Sequence, residues 1–281
     1  MTMQLHLQQV PARNGRLWIR HGFKVFQRQP FALSSLFGLF LFAGFVLMFI
    51  PGIGLLLTIA LLPLLSLGFM LATHLALQRK TPTAQVFIAP FRLTPERRRA
   101  QIVLCLGYAV AALLIGMLSD WVDGGSTRDL QKLIAENADN EAIANAAVDP
   151  RLFWGVAVRL GLHALLSVPF WHAPALVHWG GQGAAQALFS STLGVWRNKG
   201  AFALSALIWA ALLMVASSAL SLLVAALGLG RLMPLLAMPL FLAISAAFYG
   251  SLYFTFIDCF MFGAPRDVLA DKPGEPPQPQ P

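Results

Sequence analysis

Long runs of apolar residues dominate the chain and predict its main elements. Six runs stand out, at 31–50, 55–77, 102–118, 160–179, 201–227 and 232–256. A helix needs about 20 residues to cross the roughly 30 Å hydrocarbon core of a bilayer. The pattern therefore predicts an all-α membrane protein with about six transmembrane helices, which together form one domain at 31–262.

The polar segment 1–30, before the first run, has a different pattern. Its cations recur every four residues, on the side opposite Trp18 and Ile19, and they are Arg16, Arg20, Lys24 and Arg28. This spacing places them on one face of a helix. A basic face opposite aromatic residues is typical of a helix in the membrane interface. We predict a cytoplasmic tail followed by an interfacial amphipathic helix. Its cations either act as a positive-inside anchor or contact lipid headgroups specifically, and the anchor is the simpler interpretation.

The charges between the apolar runs predict the orientation. About 15 of the 20 Lys and Arg residues fall in the four segments 1–30, 78–100, 180–200 and 257–281. Basic segments stay on the cytoplasmic side, so both termini are expected there. The acidic segment 120–150 is then a periplasmic loop with one or two short helices, the first opened by a capping box of Ser126 and Asp129. The tail 263–281, rich in proline, is expected to be disordered and cytoplasmic.

Composition excludes the soluble classes. The 281 residues are 57% hydrophobic and only 11% charged, whereas soluble domains carry about 25% charged residues. The net charge of +8 flanks apolar runs, so it indicates anionic lipids and not nucleic acid as the partner. Neither cysteine lies in a metal-binding motif, no histidines recur at i, i+4, and no catalytic motif occurs. We expect no enzyme activity, no cofactor and no metal site.

The segment Val168–Trp179, called the central segment below, interrupts the fourth run with two prolines, two tryptophans and two histidines. Prolines break the backbone hydrogen bonding of a spanning helix, so an irregular centre is predicted here. Trp171, His172 and Pro174 are its candidate ligand residues. An intramembrane histidine either carries protons or contacts a ligand. Alternatively, neutral His172 hydrogen-bonds a neighbouring helix as part of the packing, which is the interpretation we favour. His163 lies on nearly the opposite face of the same helix.

Two charged residues at the ends of spans complete the candidate pathway. Arg159 is either a buried substrate anchor or, as we favour, a side chain that reaches out to the interface. Asp258 is either a proton-coupled carboxylate or the partner of Arg197 or Lys199, and the ion pair is the simpler prediction.

The first and last hairpins resemble one another, which suggests an internal repeat. The sequence Gly-x-Gly at 52–54 precedes Pro63 by the same spacing as Gly-x-Gly at 228–230 precedes Pro239. Parallel repeats occur in transporters, and chance matches between apolar sequences are also common.

Four stretches resemble a family of bacterial polytopic inner membrane proteins to which no activity is assigned. They are the basic start at 13–31, the box Trp171-His172-Ala173-Pro174, the segment 190–198 and the end at 253–260 with Asp258. The family's box usually has Phe where this chain has His172, which argues against a family-wide role for that histidine. The resemblance implies the topology above and no substrate.

Two functions follow as hypotheses. The first is transport or binding of a small or lipidic molecule in a cavity around Val168–Trp179. The alternative is a membrane scaffold that recruits a protein partner through its basic cytoplasmic face. Small residues on the fifth run, such as Ala206, Ala210 and Ser217, permit a homodimer.

Overall fold

The structure, a computed structural model, describes residues 6–136 and 138–260, and these are almost entirely helical, with no strand among them. The helices are α1 (Asn14–Arg28), α2 (Pro30–Met48), α3 (Gly54–Ala60), α4 (Leu62–Leu77), α5 (Gln85–Ile88), α6 (Pro95–Asp123), α7 (Ser126–Ala135), α8 (Asn140–Ala147), α9 (Pro150–Phe170), α10 (Ala173–Gly180), α11 (Ala184–Arg197), α12 (Lys199–Ala226) and α13 (Met233–Phe260). Single 3-10 turns lie at Ala89–Arg92 and Gly230–Leu232. The predicted tail at 263–281 lies outside the described residues.

Six of these helical segments are long and apolar enough to cross a membrane: α2, α3 with α4, α6, α9 with α10, α12 and α13. The predicted all-α membrane fold with about six spans and an N-terminal amphipathic helix is therefore confirmed. The third and fourth spans are longer than their apolar runs because their start signals lie outside those runs. Pro95 and Pro150 each occupy the first helical turn, a position that proline favours.

The connections differ from the sequence prediction in two places. The segment 180–200 was expected to be a returning loop, and it contains the helix α11. The acidic segment does form two short helices, α7 and α8, but the predicted capping box is wrong. Gly125 is the N-cap of α7, and the Ser126 hydroxyl instead donates to the Asp123 carbonyl and to Asp149 Oδ2, both at 2.9 Å.

The chain forms two compact units, which are described separately. Among the described residues, the first unit takes 6–42, 65–90 and 193–260, and the second takes 43–64 and 91–192.

In the first unit, α1 packs tightly against α12 and α13. Two glycines allow this approach: a Cβ atom on Gly15 would collide with the Ala201 carbonyl oxygen, and one on Gly22 would lie 2.6 Å from the Ala247 carbonyl oxygen. Ile19 joins a buried cluster with Trp209 and Ala247. The amphipathic helix predicted for the interface is thus part of the core of this unit.

The same short junction precedes both of the similar hairpins. A single non-helical residue separates α1 from α2 (Gln29) and α11 from α12 (Asn198). Each side-chain amide donates to a distant backbone carbonyl: Gln29 Nε2 to Lys80 at 3.2 Å, and Asn198 Nδ2 to Gln8 at 3.0 Å. The resemblance of the hairpins therefore extends to their entry helices, while their common origin stays a prediction.

In the second unit, α6 packs along α9 and against α3. Mostly small residues form this contact, where Ala60 of α3 and Leu64 at the beginning of α4 meet Cys105 and Ala109. At the other contact, the Asp123 side chain lies directly over Gly155, where a Cβ atom would not fit. Close helix packing through small residues is typical of membrane proteins, which lack a hydrophobic driving force between helices.

Candidate functional site

The central segment contains a break between two helices, α9 and α10. α9 ends at Phe170, and α10 begins at Ala173 with Pro174 in its first turn. Proline lacks a backbone N–H and clashes with the preceding turn, which accounts for the interruption. The side chains of the new helix are closely packed, since residues 173–177 are all buried and His172 is fully buried. Trp171 and His178 are half-buried.

One hydroxyl bridges the break. Ser191, on α11, accepts a hydrogen bond from the His172 backbone N–H at 3.0 Å and donates one to the Val168 carbonyl at 3.0 Å. Backbone groups released by a helix break need partners when they are buried. Ser191, which sequence reasoning did not identify, provides them.

A buried amide holds the start of α10 from the other side. Gln101 of α6 is fully buried, and its Nε2 donates to the Pro174 carbonyl at 2.7 Å. A single glutamine directly before the third apolar run was the available signal, and it was overlooked. The neighbouring helix thus occupies the carbonyl of Pro174, and the role of Pro174 as a ligand residue stays a prediction.

Arg97 holds the end of α10. Its Nη1 donates to the His178 carbonyl at 3.0 Å, and its guanidinium lies against Gly181, the C-cap residue with a left-handed φ of 65°. A cation near a helix C-terminus interacts favourably with the helix dipole and the last carbonyls. The central segment is thus a closely packed helix break with hydrogen-bond partners from α6 and α11.

Arg159 and His163 lie away from the break, along α9. Arg159 Nη2 is 2.6 Å from Asp120 Oδ1, and Asp120 Oδ2 is 2.9 Å from Arg128 Nη2. His163 Nδ1 donates to the Arg159 carbonyl one turn earlier, at 2.8 Å. Arg159 thus ties α9 to the end of α6, and its role as a substrate anchor stays a prediction.

Asp258, in the first unit, does not pair with Arg197 or Lys199, so that prediction is wrong. Its Oδ2 accepts hydrogen bonds from Trp18 Nε1 at 2.7 Å and from Asn14 Nδ2 at 2.9 Å. Lys199 lies instead over the Trp196 ring, 5.1 Å from the centroid. The carboxylate of α13 thus fastens the amphipathic helix α1.

The N-terminal segment that leads into α1 is also held by polar groups. The Val10 N–H donates to Asn198 Oδ1 at 2.8 Å, and the Gln8 N–H donates to the Cys259 carbonyl at 2.8 Å. Asn198 Nδ2 additionally donates to the Gly194 carbonyl and contacts the Cys259 sulfur. These bonds and Asp258 determine where α1 begins.

The fixed position of α1 determines where its cations point. Arg16, Arg20 and Arg28 are exposed, and Lys24 is half-buried. On the inner side of α1, burial lowers the pKa of His21 below its usual 6.5. Asp258 opposes this shift, while Lys24 and Arg20 add to it. The cations predicted to contact lipid headgroups thus form a basic face on a helix that is packed into the unit.

The second unit contains an apolar groove with a volume of about 360 Å³. It lies between the end of α2, the helix α3 and the beginning of α6, and its lining carries no charged side chain. The lining residues are Leu47, Leu57, Ala60, Leu61, Leu64, Phe91, Ile102, Cys105 and Leu106. This volume lies within the range of small-molecule sites, roughly 300–1,000 Å³. No sequence pattern indicates the groove, because its lining comes from three separate apolar runs and, through Phe91, from the basic segment 78–100.

The candidate residues named from the sequence therefore divide among separate places. Trp171, His172 and Pro174 lie at the helix break, Arg159 and His163 lie farther along α9, and Asp258 belongs to the first unit. A common pathway through these residues stays a prediction.

Comparison with known proteins gives one match over nearly the whole chain. A probable inner membrane protein of Burkholderia thailandensis is 32% identical over 268 residues, which cover 93% of this chain and 97% of that protein. No family model matches the chain. No solved structure matches it.

Proposed function

The chain belongs to this family of probable inner membrane proteins, and from that premise we propose that it binds a lipidic molecule within the membrane without catalysing a reaction on it. Binding is the first step of both retention and transport of the ligand. Our proposed orientation has both termini on the cytoplasmic side, as the distribution of Lys and Arg favours.

The apolar groove of the second unit is the observation that carries this proposal. A ligand needs a concave surface, and the groove offers about 360 Å³ lined by aliphatic side chains, Phe91 and Cys105. A polar metabolite would find no hydrogen-bond partner among these side chains, whereas an acyl chain needs none. The lining thus favours a lipidic ligand over a polar one.

We assign the central segment a supporting role in this function. Gln101 holds the Pro174 carbonyl, and the next residue of α6, Ile102, lines the groove. Neighbouring positions on a helix point about 100° apart, so α6 contacts the helix break with one face and the groove with another. The break then stabilises the helix that forms one wall of the ligand site.

Native mass spectrometry of the protein extracted with its surrounding lipid tests the proposal. Leu106→Trp enlarges an exposed side chain of the groove, so we expect a discrete bound lipid in the wild type and its loss in this variant. Met117→Trp is the matched control, because Met117 is also an exposed residue of α6 and does not line the groove. A wild-type chain that carries no discrete lipid would contradict the proposal.

A third variant separates the groove from the central segment. Trp171→Ala should leave the lipid bound while it lowers the unfolding temperature. If Trp171→Ala removes the ligand from a folded protein and Leu106→Trp retains it, the ligand lies at residues 168–179 and our assignment of the groove is wrong.

The scaffold is a second candidate, and the basic face of α1 is the observation that favours it. Gly15 and Gly22 hold the helix against α12 and α13, so the exposed Arg16 and Arg20 form a fixed surface. Such a surface attracts acidic partners or anionic headgroups. Replacing Arg16, Arg20, Lys24 and Arg28 with glutamine should abolish capture of a protein partner from solubilised membranes. An unchanged set of captured proteins would count against the scaffold.

A further inference from the structure

We infer that the ligand of the groove is an anionic phospholipid, with one acyl chain along the apolar lining and its phosphate at Arg98. This inference rests on the proposed function and adds the chemical class of the ligand. The two observations behind it are the position of Arg98 on α6 and the absence of charge from the groove itself.

Arg98 lies on the groove side of α6. It precedes Ile102 by four residues and Cys105 by seven, and both of these residues line the groove. Residues separated by four and seven positions share one face of a helix. Arg98 therefore lies about one turn beyond the lining at the beginning of α6, and it is exposed. Glu96, the acid in that first turn, is two positions away from Arg98 and so points to a different side.

A second arginine is close to the lining in sequence. Phe91 is part of the lining, and Arg92 follows it directly in the turn before α6 and is exposed. Arg98 is thus the arginine on the groove side of α6, and Arg92 is a further exposed cation near the beginning of that helix. The planar guanidinium donates paired hydrogen bonds to a phosphate, which a lysine does not reproduce.

The combination of an apolar groove and a cationic end matches the two parts of a phospholipid. The aliphatic lining requires a hydrocarbon chain, and the arginines require an anion attached to it. Free phosphate would satisfy the arginines alone and leave the groove without a partner. A neutral lipid would occupy the groove and make no use of the arginines.

Lipid titration of the full-length protein in a neutral detergent tests the inference. Native mass spectrometry would measure the apparent Kd for phosphatidylglycerol, for diacylglycerol, which has the acyl chains and no phosphate, and for inorganic phosphate. We expect the wild type to prefer phosphatidylglycerol over diacylglycerol by about five- to tenfold, a ratio typical of one or two arginine contacts near a membrane surface. Arg98→Gln should reduce this preference to less than about twofold while diacylglycerol binds as before.

Two control variants make each outcome decisive. Arg20→Gln removes the same charge from an exposed site on α1, so an equal loss in this variant would assign the preference to net charge and overturn the role of Arg98. Leu106→Trp should weaken both lipids. If it does and Arg98→Gln changes nothing, the lipid site of the proposed function stands and the phosphate contact is wrong. Tight binding of inorganic phosphate that survives Leu106→Trp would overturn the lipid as ligand.

Discussion

At the scale of single residues, Ser191 has the most clearly defined structural role. Its hydroxyl serves both sides of the helix break, as acceptor for the His172 N–H and donor to the Val168 carbonyl. The break is needed because Pro174 cannot continue the hydrogen-bonding pattern of α9. Ser191 thus compensates for the helix break at Pro174, which lies 17 positions earlier in the chain.

Ser191→Ala should destabilise the protein by about 1–3 kcal/mol, because two buried backbone groups lose this partner. Thermal unfolding in detergent would measure the change. Ser217→Ala is the matched control: the Ser217 hydroxyl is exposed and donates to the Leu213 carbonyl of its own helix, so a change within about 0.5 kcal/mol is expected. Equal effects of the two substitutions would contradict the assigned role.

His21 provides a prediction about pH. Burial lowers its pKa in the folded protein below 6.5, so the unfolded chain binds the proton more readily. The stability that comes from neutral His21 is complete above pH 6.5 and decreases as the pH falls below that value. We expect the unfolding temperature of His21→Gln to change less with pH, between about pH 5 and 6.5, than that of the wild type. A steeper slope in the variant would show the opposite sign of the pKa shift.

The sequence identified Asp258 as important and assigned it the wrong partner. Nearby cations were the natural expectation, since Arg197 and Lys199 were placed at the same side of the membrane. The structure gives Asp258 two neutral donors, Asn14 and Trp18, from the other end of the chain. A contact that spans 240 residues depends on tertiary packing, which no local pattern records.

At the scale of elements, the packing of α1 depends on two glycines seven positions apart. Gly15 and Gly22 lie on one face, the face away from the exposed arginines. Their spacing was visible in the sequence, but the prediction used the cations and the apolar residues opposite them and not the glycines. The helix itself, its length and its amphipathic character were all predictable, while its burial against α12 and α13 was not.

Gly15→Ala and Gly22→Ala should each destabilise the first unit by about 1–3 kcal/mol, because the added methyl group meets a backbone carbonyl that cannot move aside easily. Gly38→Ala is the control, since a Cβ atom there finds nothing within 4 Å and alanine favours a helix. Unfolding temperatures in detergent give the comparison. A destabilisation by Gly38→Ala as large as that by Gly15→Ala would exclude the close contact as the cause.

At the scale of the whole molecule, the apolar runs predicted all six candidate spans, because length and hydrophobicity alone identify a spanning helix. The break at 171–172 was also foreseeable from its prolines. The groove was not, because Leu47, Ala60 and Cys105 have no common signal in the sequence and meet only when α2, α3 and α6 pack.

The proposed orientation predicts the behaviour of fusion proteins. A green fluorescent protein fused to the C-terminus should fluoresce, because it folds on the cytoplasmic side. Alkaline phosphatase inserted between α7 and α8 should be active, because it requires the oxidising periplasm. A dark C-terminal fusion together with an inactive insertion would reverse the topology.

The docking of α1 onto α13 has a consequence for biogenesis. Trp18 and its acceptor Asp258 are separated by 240 residues, so at translation rates of about 5–20 residues per second the helix is made roughly 12–48 s before its partner. Until α12 and α13 have been made, its apolar side, with Trp18, Ile19 and Val25, lacks the helices that cover it in the folded unit. An amphipathic helix with an uncovered apolar side binds at the lipid–water boundary, which is the location that the sequence predicted for α1. The interfacial position of α1 would then be an assembly intermediate. Once α13 has left the ribosome, α1 would move from the lipid–water boundary onto α12 and α13 and complete the fold.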